Sequence, residues 1–153
     1  KIFSAKKYRT KVQVNSPIFH ETELKTKSKA FAKVVYLDDG TSISIYPETE
    51  IKIIGTVENR IINKHVELKS GIIQVNIIKQ ALGKFKLTTP HSELSCEICS
   101  FWIISDEENG DQFYKKDGLA VVNNPTLDKS LKLAVDSTLV SIKDMLIEKN
   151  QST

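Results

Sequence analysis

Apolar and polar residues alternate with a period of two along most of this chain, and this pattern limits its fold more than any other feature of the sequence. The alternation is plainest in residues 42–46, SISIY, and in residues 50–54, EIKII. Successive side chains of a β-strand point to opposite faces, so each run predicts a strand with one buried face. Pro47, between the two runs, marks the end of the first strand.

Turn-forming residues separate the alternating runs. We expect Asp38-Asp39-Gly40 to form a hairpin turn and not a metal-binding loop, because aspartate and glycine tolerate the backbone of a tight turn. The acidic loop DEENGD, residues 106–111, is a second candidate for calcium. It lacks the ligand register of an EF-hand, and we again favour a turn. Further turns are expected at Ser70-Gly71 and at Asp117-Gly118.

The other alternating or apolar runs predict strands at residues 31–37, 64–68, 72–77, 84–88, 94–104, 111–115 and 119–122. Many short strands at close spacing are typical of all-β proteins. We therefore expect a compact roll or sandwich of mainly antiparallel strands, similar to a short β-solenoid.

Two segments also fit a helix. Asn76–Leu82 allows a helical turn, and from Leu131 onward the apolar residues fit both a helical and a strand period. We expect strands to about Val140 and a C-terminal helix over Ser141–Lys149.

The composition, with 40% hydrophobic and 27% charged residues in 153, is that of a single globular domain. Residues 1–35 contain nine basic and two acidic residues, a balance of +7, so that a net charge of +3 leaves −4 for the remainder. This basic end fits attraction to an anionic lipid surface, although a solvated start that protects an edge strand is favoured. Basic and aromatic residues do not interleave as in a stacking groove, so no nucleic acid is expected.

The sequence contains no arrangement typical of catalysis or of cofactor binding. Its three histidines, His20, His65 and His91, are far apart, and no pair has the spacing of a helical zinc site. Glycine-rich phosphate-binding motifs are also missing from the sequence. We therefore expect neither an enzyme nor a bound cofactor or metal.

Cys96 and Cys99 form a C-x-x-C motif, the feature of the sequence that comes closest to a chemical site. Redox-active pairs of this kind lie at a helix N-terminus, whereas these residues follow Thr89-Pro90 in a predicted strand. Side chains three apart in an extended strand point to opposite faces, so a disulfide would need a local bend. We favour two buried thiols over a disulfide at such a bend, and place metal or redox chemistry last.

Two predicted strands are apolar on both sides, residues 31–37, FAKVVYL, and residues 101–104, FWII. One set of side chains in each strand must point away from a simple two-layer core. Those side chains are either covered by neighbouring strands or the C-terminal helix, which is the favoured interpretation, or exposed as an interface. As an interface, Trp102, Ile104 and Tyr36 would bind a protein partner.

The order of these pieces resembles the FecR-like domain, named for the iron-dicitrate sensor and anti-sigma regulator of bacterial envelopes. The stretches that carry the resemblance are TKSKAFAKVVYLDDGTSISIYPETEIKI, HVELKSGIIQVNI, GKFKLTTPHSEL and FWIISDEENGDQFYKKDGLAVVNN. It divides the chain into a basic N-terminal segment (1–21), a β domain (22–140) and a C-terminal helix or tail (141–153). Cys96 to Cys99 stand where many members carry Val-Arg-Gly-Thr, and Ala134-Val135 replaces the usual Ala-Gly.

The resemblance implies a periplasmic, extracytoplasmic location, with the basic end continuing from an upstream membrane or lipid anchor. Our leading hypothesis is a non-enzymatic adaptor or scaffold of the cell envelope that acts through contacts with protein partners, and membership of a larger assembly is one form that this role could take. Two alternatives are the signal relay of the anti-sigma members, whose flanking segments are not in this sequence, and binding of peptidoglycan or another glycan.

Overall fold

A computed structural model of the protein describes residues 11–78, 85–133, 137–142 and 145–150. Within these ranges eleven strands form one mixed sheet, in which every described pairing is antiparallel except that of β5 with β6. The strands are β1 (Thr22–Lys25), β2 (Ala32–Val35), β3 (Ser42–Ile45), β4 (Glu50–Glu58), β5 (Ile61–Ile77), β6 (Phe85–Thr88), β7 (Glu93–Asp106), β8 (Gly110–Asn124), β9 (Lys129–Leu133), β10 (Ser137–Ile142) and β11 (Met145–Asn150).

Three long strands, β5, β7 and β8, run through the sheet and divide it into two wings. In the first wing, the early half of β5 pairs with β4 and β6, and the late half of β8 pairs with β9. In the second wing, the late half of β5 pairs with β3 and β7, and the early half of β8 pairs with β10. Among the described strands β1 pairs with β4 alone and β2 with β3 alone, so both are sheet edges.

The inward faces of both wings supply one buried cluster, built by the alternation seen in the sequence. On β3, for example, Ile43 and Ile45 are fully buried and the intervening serines point outward. Burial of each such aliphatic side chain contributes about 1.5–3 kcal/mol to folding. The other aliphatic and aromatic members are Leu24, Ile51, Ile53, Val66, Leu68, Ile73, Val75, Ile77, Phe85, Leu87, Leu94, Phe101, Ile103, Phe113, Ala120 and Val122. The predicted all-β roll or sandwich is confirmed.

The turns predicted at Ser70-Gly71 and Asp117-Gly118 are wrong, because both pairs lie inside long strands, β5 and β8. Gly71 has a φ of 112° and Gly118 a φ of 88°. A Cβ atom at Gly71 would collide with Thr49, and one at Gly118 with the adjacent β7 backbone. At both positions glycine allows the strand to bend where it passes from one wing to the other. A glycine after serine or aspartate looks the same in the sequence whether it forms such a bend or a turn.

The helix predicted over Ser141–Lys149 is wrong for the residues that the structure describes. Residues 137–150 instead contain the antiparallel hairpin of β10 and β11, with β10 paired to β8. Pairing there gives β8 a ladder of hydrogen bonds along an edge that a helix would leave open. The helical turn expected at Asn76–Leu82 begins within β5, and its last four residues lie outside the described ones. The described residues contain no helix long and apolar enough to cross a membrane.

Both hairpin turns predicted at acidic residues are confirmed. In the β2–β3 turn, the carboxylate of Asp39 accepts the backbone N–H of Thr41 at 2.9 Å. In the β7–β8 turn, the carboxylate of Asp106 accepts the backbone N–H of Glu108 and the side-chain amide of Asn109, each at 2.9 Å. These aspartates stabilise their own turns, as short polar side chains commonly do.

Candidate functional site

Three aromatic side chains form a row on the outer face of the second wing, opposite the core. The rings of Phe31 and Tyr46 meet edge to face, with centroids 5.5 Å apart and planes at 78°. Tyr46 also packs on Trp102, with centroids 5.1 Å apart and planes at 38°. Phe31 is 59% exposed, the other two are half-buried, and Ile104 nearby is 43% exposed. These four residues, Phe31, Tyr46, Trp102 and Ile104, are called the outer patch.

Strand register assembles the outer patch from three separate parts of the sequence. On β7, Phe101 and Ile103 point into the core, so Trp102 and Ile104 point outward. Ile104 pairs with Ile72 on β5, and the backbone C=O of Ile72 accepts the N–H of Tyr46 at 3.1 Å. Two of the predicted partner-binding residues, Trp102 and Ile104, are therefore together on one exposed face.

An open groove continues the outer patch beyond Ile104. It has a volume of about 550 Å³, and its lining includes Ile72, Ile104 and the acidic turn residues 106–108. The lining thus combines the aliphatic side chains of Ile72 and Ile104 with the carboxylates of the acidic turn.

Tyr36, the third predicted partner-binding residue, does not belong to the outer patch. It is half-buried and packs against the core, and the ammonium of Lys64 lies 5.1 Å from the centre of its ring. Burial, together with the negative charges of Asp38 and Asp39, raises the pKa of Tyr36 to about 12. Its position is that of a structural residue at the end of the core.

Lys64 joins Tyr36 to the β2–β3 turn. Its ammonium donates to Asp38 Oδ2 at 2.7 Å and to Asp39 Oδ2 at 2.6 Å, and the side chains of Lys64 and Asp39 are only 6% and 2% exposed. Burial raises the pKa of Asp39, but hydrogen bonds from Lys64 and Thr41 outweigh it and hold that pKa below its ordinary value of 3.8. The two aspartates therefore form ion pairs with one buried lysine.

Cys96 and Cys99 are joined by a disulfide, with Cα atoms 6.3 Å apart. Both residues are buried, as expected, but the free thiols favoured from the sequence are not what the structure shows. The physical reason is a bulge: Cys96 pairs with Ala120 and Cys99 with Gly118, so β7 has one extra residue at this place. The bulge brings both sulfurs to the inner face. The disulfide at a local bend, the second choice from the sequence, is the one found.

A second buried polar cluster surrounds Asp111, which is fully buried. Its carboxylate accepts hydrogen bonds from the hydroxyl of Ser105, at 2.6 Å, and from that of Thr89. Three residues after Thr89, the hydroxyl of Ser92 forms a hydrogen bond with that of Ser141 on β10 at 2.6 Å. This hydrogen bond links the C-terminal hairpin to the rest of the sheet. Within the described ranges no group of three or more His, Cys, Asp or Glu side chains is placed to hold a metal.

Phe31 and Tyr46 are members of the outer patch that sequence reasoning missed. The alternation SISIY does place Tyr46 on the same side as the outward serines. What the sequence does not contain is the neighbour of each strand, and the patch exists because β2, β3, β5 and β7 lie side by side.

No protein-family model matches the sequence, and no curated protein matches it. Among solved structures, the fold is similar to two crystal structures of a proposed anti-sigma factor from Parabacteroides distasonis, with TM-scores of 0.71 and 0.69. Sequence identity is 18% and 17%. Each match covers 86% of this chain and 60% of the other, so the chain spans about three fifths of those structures. The protein thus has the fold of a domain found in a proposed anti-sigma factor, which is consistent with the resemblance carried by its sequence.

Proposed function

We propose that this protein is a non-enzymatic protein-interaction domain of an anti-sigma type signal relay in the bacterial cell envelope. The similarity of its fold to the two anti-sigma factor structures is the observation that supports the proposal most strongly. The proposal places the domain on the extracytoplasmic side of the membrane, held by an upstream membrane or lipid anchor, where its contacts with a partner report an outside signal.

The outer patch is the proposed contact surface. Its aromatic rings are held in place by one another, so docking a partner would order few additional side chains. Covering one large apolar side chain contributes about 1.5–3 kcal/mol, and aromatic residues dominate the energetics of protein interfaces. Phe31 and Ile104 have the largest exposed fractions of the four residues.

The broader role of adaptor or scaffold in a larger envelope assembly would use the same surface. A glycan-binding role is less well supported by the geometry. Sugar-binding platforms present the faces of aromatic rings to solvent, whereas Phe31 meets Tyr46 edge to face with planes at 78° and Tyr46 packs on Trp102. The rings therefore use part of their faces on each other.

The experiment is a transcription reporter for the sigma-dependent genes in the native cell. The double variant Phe31→Glu/Ile104→Glu changes two exposed side chains of the outer patch, and Leu119→Glu changes an exposed leucine on β8 as the control. We expect the double variant to lose signal-dependent transcription at normal protein level, and Leu119→Glu to retain it. Normal signalling by the double variant would contradict the proposal, as would binding of the purified domain to cell-wall material that the double variant loses.

A further inference from the structure

The edge strand β2 is apolar on both sides. Ala32 and Val34 pack against the core, while Phe31, Val35 and Leu37 point outward and are 59%, 49% and 98% exposed. Among the described strands β2 pairs with β3 alone. Natural sheets usually protect an apolar edge by keeping it short or with proline, a bulge, charge or a covering segment. β2 has only four residues and one charge, at Lys33, but it contains no proline and no bulge, so its backbone can pair with a further strand.

The hydrogen-bond register shows which backbone groups of β2 face the open side. The N–H of Tyr36 donates to the C=O of Thr41 at 2.8 Å, so these two residues form a hydrogen-bonded pair. Such pairs alternate along an antiparallel ladder, so Val34 also bonds to β3, whereas the N–H and C=O groups of Lys33 and Val35 point away from it. β2 therefore offers two complete donor and acceptor pairs to a further strand.

The exposed charge of the segment that leads into β2 and runs through it is positive, whereas the acidic residues Asp38 and Asp39 follow in the β2–β3 turn, where they pair with Lys64. Residues 25–33 include four exposed lysines, Lys25, Lys27, Lys29 and Lys33, and no acidic residue. Across the part of the chain that the structure describes, none of the four forms a salt bridge. A strand that docks here would gain from carboxylates. A second copy of this protein, paired edge to edge, would instead bring the same lysines together, which disfavours self-association.

We infer that β2 is the docking edge for an extended strand of another protein, and that this strand alternates apolar and acidic residues. The inference rests on the proposed interaction function and names the chemical class of the partner. The partner's backbone would bond to Lys33 and Val35, as in other cases where a peptide extends a sheet. Its carboxylates would face Lys33, and its apolar side chains would extend the outer patch beyond Phe31.

The test measures binding of a fluorescently labelled peptide, Glu-Val-Asp-Ile-Glu-Val-Asp with blocked ends, to the purified chain. Controls are a peptide with lysine in place of every acidic residue and an acidic peptide with alternate backbone nitrogens methylated. We expect the acidic peptide to bind about tenfold more tightly than either control, because one lacks charge complementarity and the other lacks donors. In amide NMR spectra, the largest shifts should fall on Lys33 and Val35.

Two protein variants complete the test. Val35→Pro removes an N–H that faces the open edge and leaves the β3 ladder intact, so the fold should remain and peptide affinity should fall about tenfold. Lys33→Glu should weaken binding of the acidic peptide and strengthen binding of the lysine peptide. The control is Lys116→Glu, which changes an exposed lysine on β8 and should leave both affinities unchanged. The Lys33 variant and the methylated peptide keep the test decisive if Val35→Pro does not fold.

Equal binding of the acidic and lysine peptides, no binding at all, or full affinity of the Lys33→Glu variant would overturn the inference. A dimer seen by sedimentation that Val35→Pro dissociates would also overturn it, in favour of a second copy. The proposed function can fail separately. If the acidic peptide binds at β2 but the outer-patch double variant leaves transcription unchanged, β2 is a docking edge and the signal-relay role is contradicted. If the double variant loses signal-dependent transcription but the peptide does not bind, the signal-relay role is supported and the docking edge is contradicted.

Discussion

Phe101 and Trp102 follow one another on β7 and point to opposite faces of the same sheet. Phe101 is fully buried and its ring lies 6.4 Å from that of Phe85 within the core. Trp102 is half-buried on the outer face, where its ring packs on Tyr46. The two faces differ in what they bury, so residues on the inner face should determine stability and residues on the outer face should determine binding. Substitutions on each face test this separation.

The largest effect is expected from Phe101→Ala. Removing a buried phenylalanine leaves a cavity in the core and should lower the free energy of unfolding by about 3–5 kcal/mol. Trp102→Ser should cost only about 1–2 kcal/mol, because part of its ring is already in water. Urea denaturation of both variants measures the difference. Equal losses would show that the outer face is also part of the core and would remove the basis of the comparison.

The next effect concerns Lys64, the buried cation behind the β2–β3 hairpin. Lys64→Met leaves Asp38 and Asp39 side by side without a counter-charge and should lower the free energy of unfolding by about 3 kcal/mol. The matched control is Lys69→Met, since Lys69 pairs with Glu23 and Glu50 but is 42% exposed, and its loss should cost less than about 1 kcal/mol. Urea denaturation midpoints of the two variants measure the difference between these stability losses. Similar small losses would mean that the Lys64 pair is not a buried one.

A third effect tests the bulge in β7. Replacing Cys96 and Cys99 with serine should lower the free energy of unfolding by about 2 kcal/mol, the value expected for releasing so short a loop. Thiol titration of the unfolded, unreduced wild-type protein should find no reactive thiol. Two thiols per chain would show that the pair is not oxidised and would restore the interpretation made from the sequence.

The smallest effect involves the proton of Tyr36. Its pKa is raised from 10.0 to about 12, so the folded protein keeps a proton that the unfolded chain loses between those values. Stability from this group is therefore complete below pH 10 and is lost as the pH rises towards 12. Tyr36→Phe should change stability at neutral pH by less than about 0.5 kcal/mol and abolish the late step in the tyrosinate absorbance. A titration with no late step in the wild-type protein would contradict the burial of the ring.

Much of the fold was predictable from local sequence because alternation and turn residues act over a few positions. The strand at residues 42–45 and the turn at Asp39-Gly40 follow from that local chemistry. Gly71 and Gly118 could not be assigned in this way, since only the close approach of a neighbouring strand shows that the glycine serves a bend and not a turn. The C-terminal hairpin was missed for a similar reason. Its apolar residues fit a helical period and a strand period equally well, and pairing with β8 determines that they form strands.

The candidate site was predictable in part. Two-sided apolarity identified Trp102 and Ile104 as exposed candidates, and both lie in the outer patch. The same argument placed Tyr36 with them, although the register of β2 turns it inward towards Lys64. A strand's pattern shows that two faces are apolar; only its neighbours show which face is covered.

The most direct test of the central claim, that the outer face binds a protein partner, is site-specific photo-crosslinking in the native cell. A photoreactive phenylalanine analogue is introduced at Phe31, next to both the outer patch and the β2 edge, and at Leu119 as an exposed control on β8. We predict a discrete crosslinked protein from position 31 that is weak or absent from position 119 and that disappears with Ile104→Glu. No crosslink at position 31, or the same products from both positions, would contradict the account.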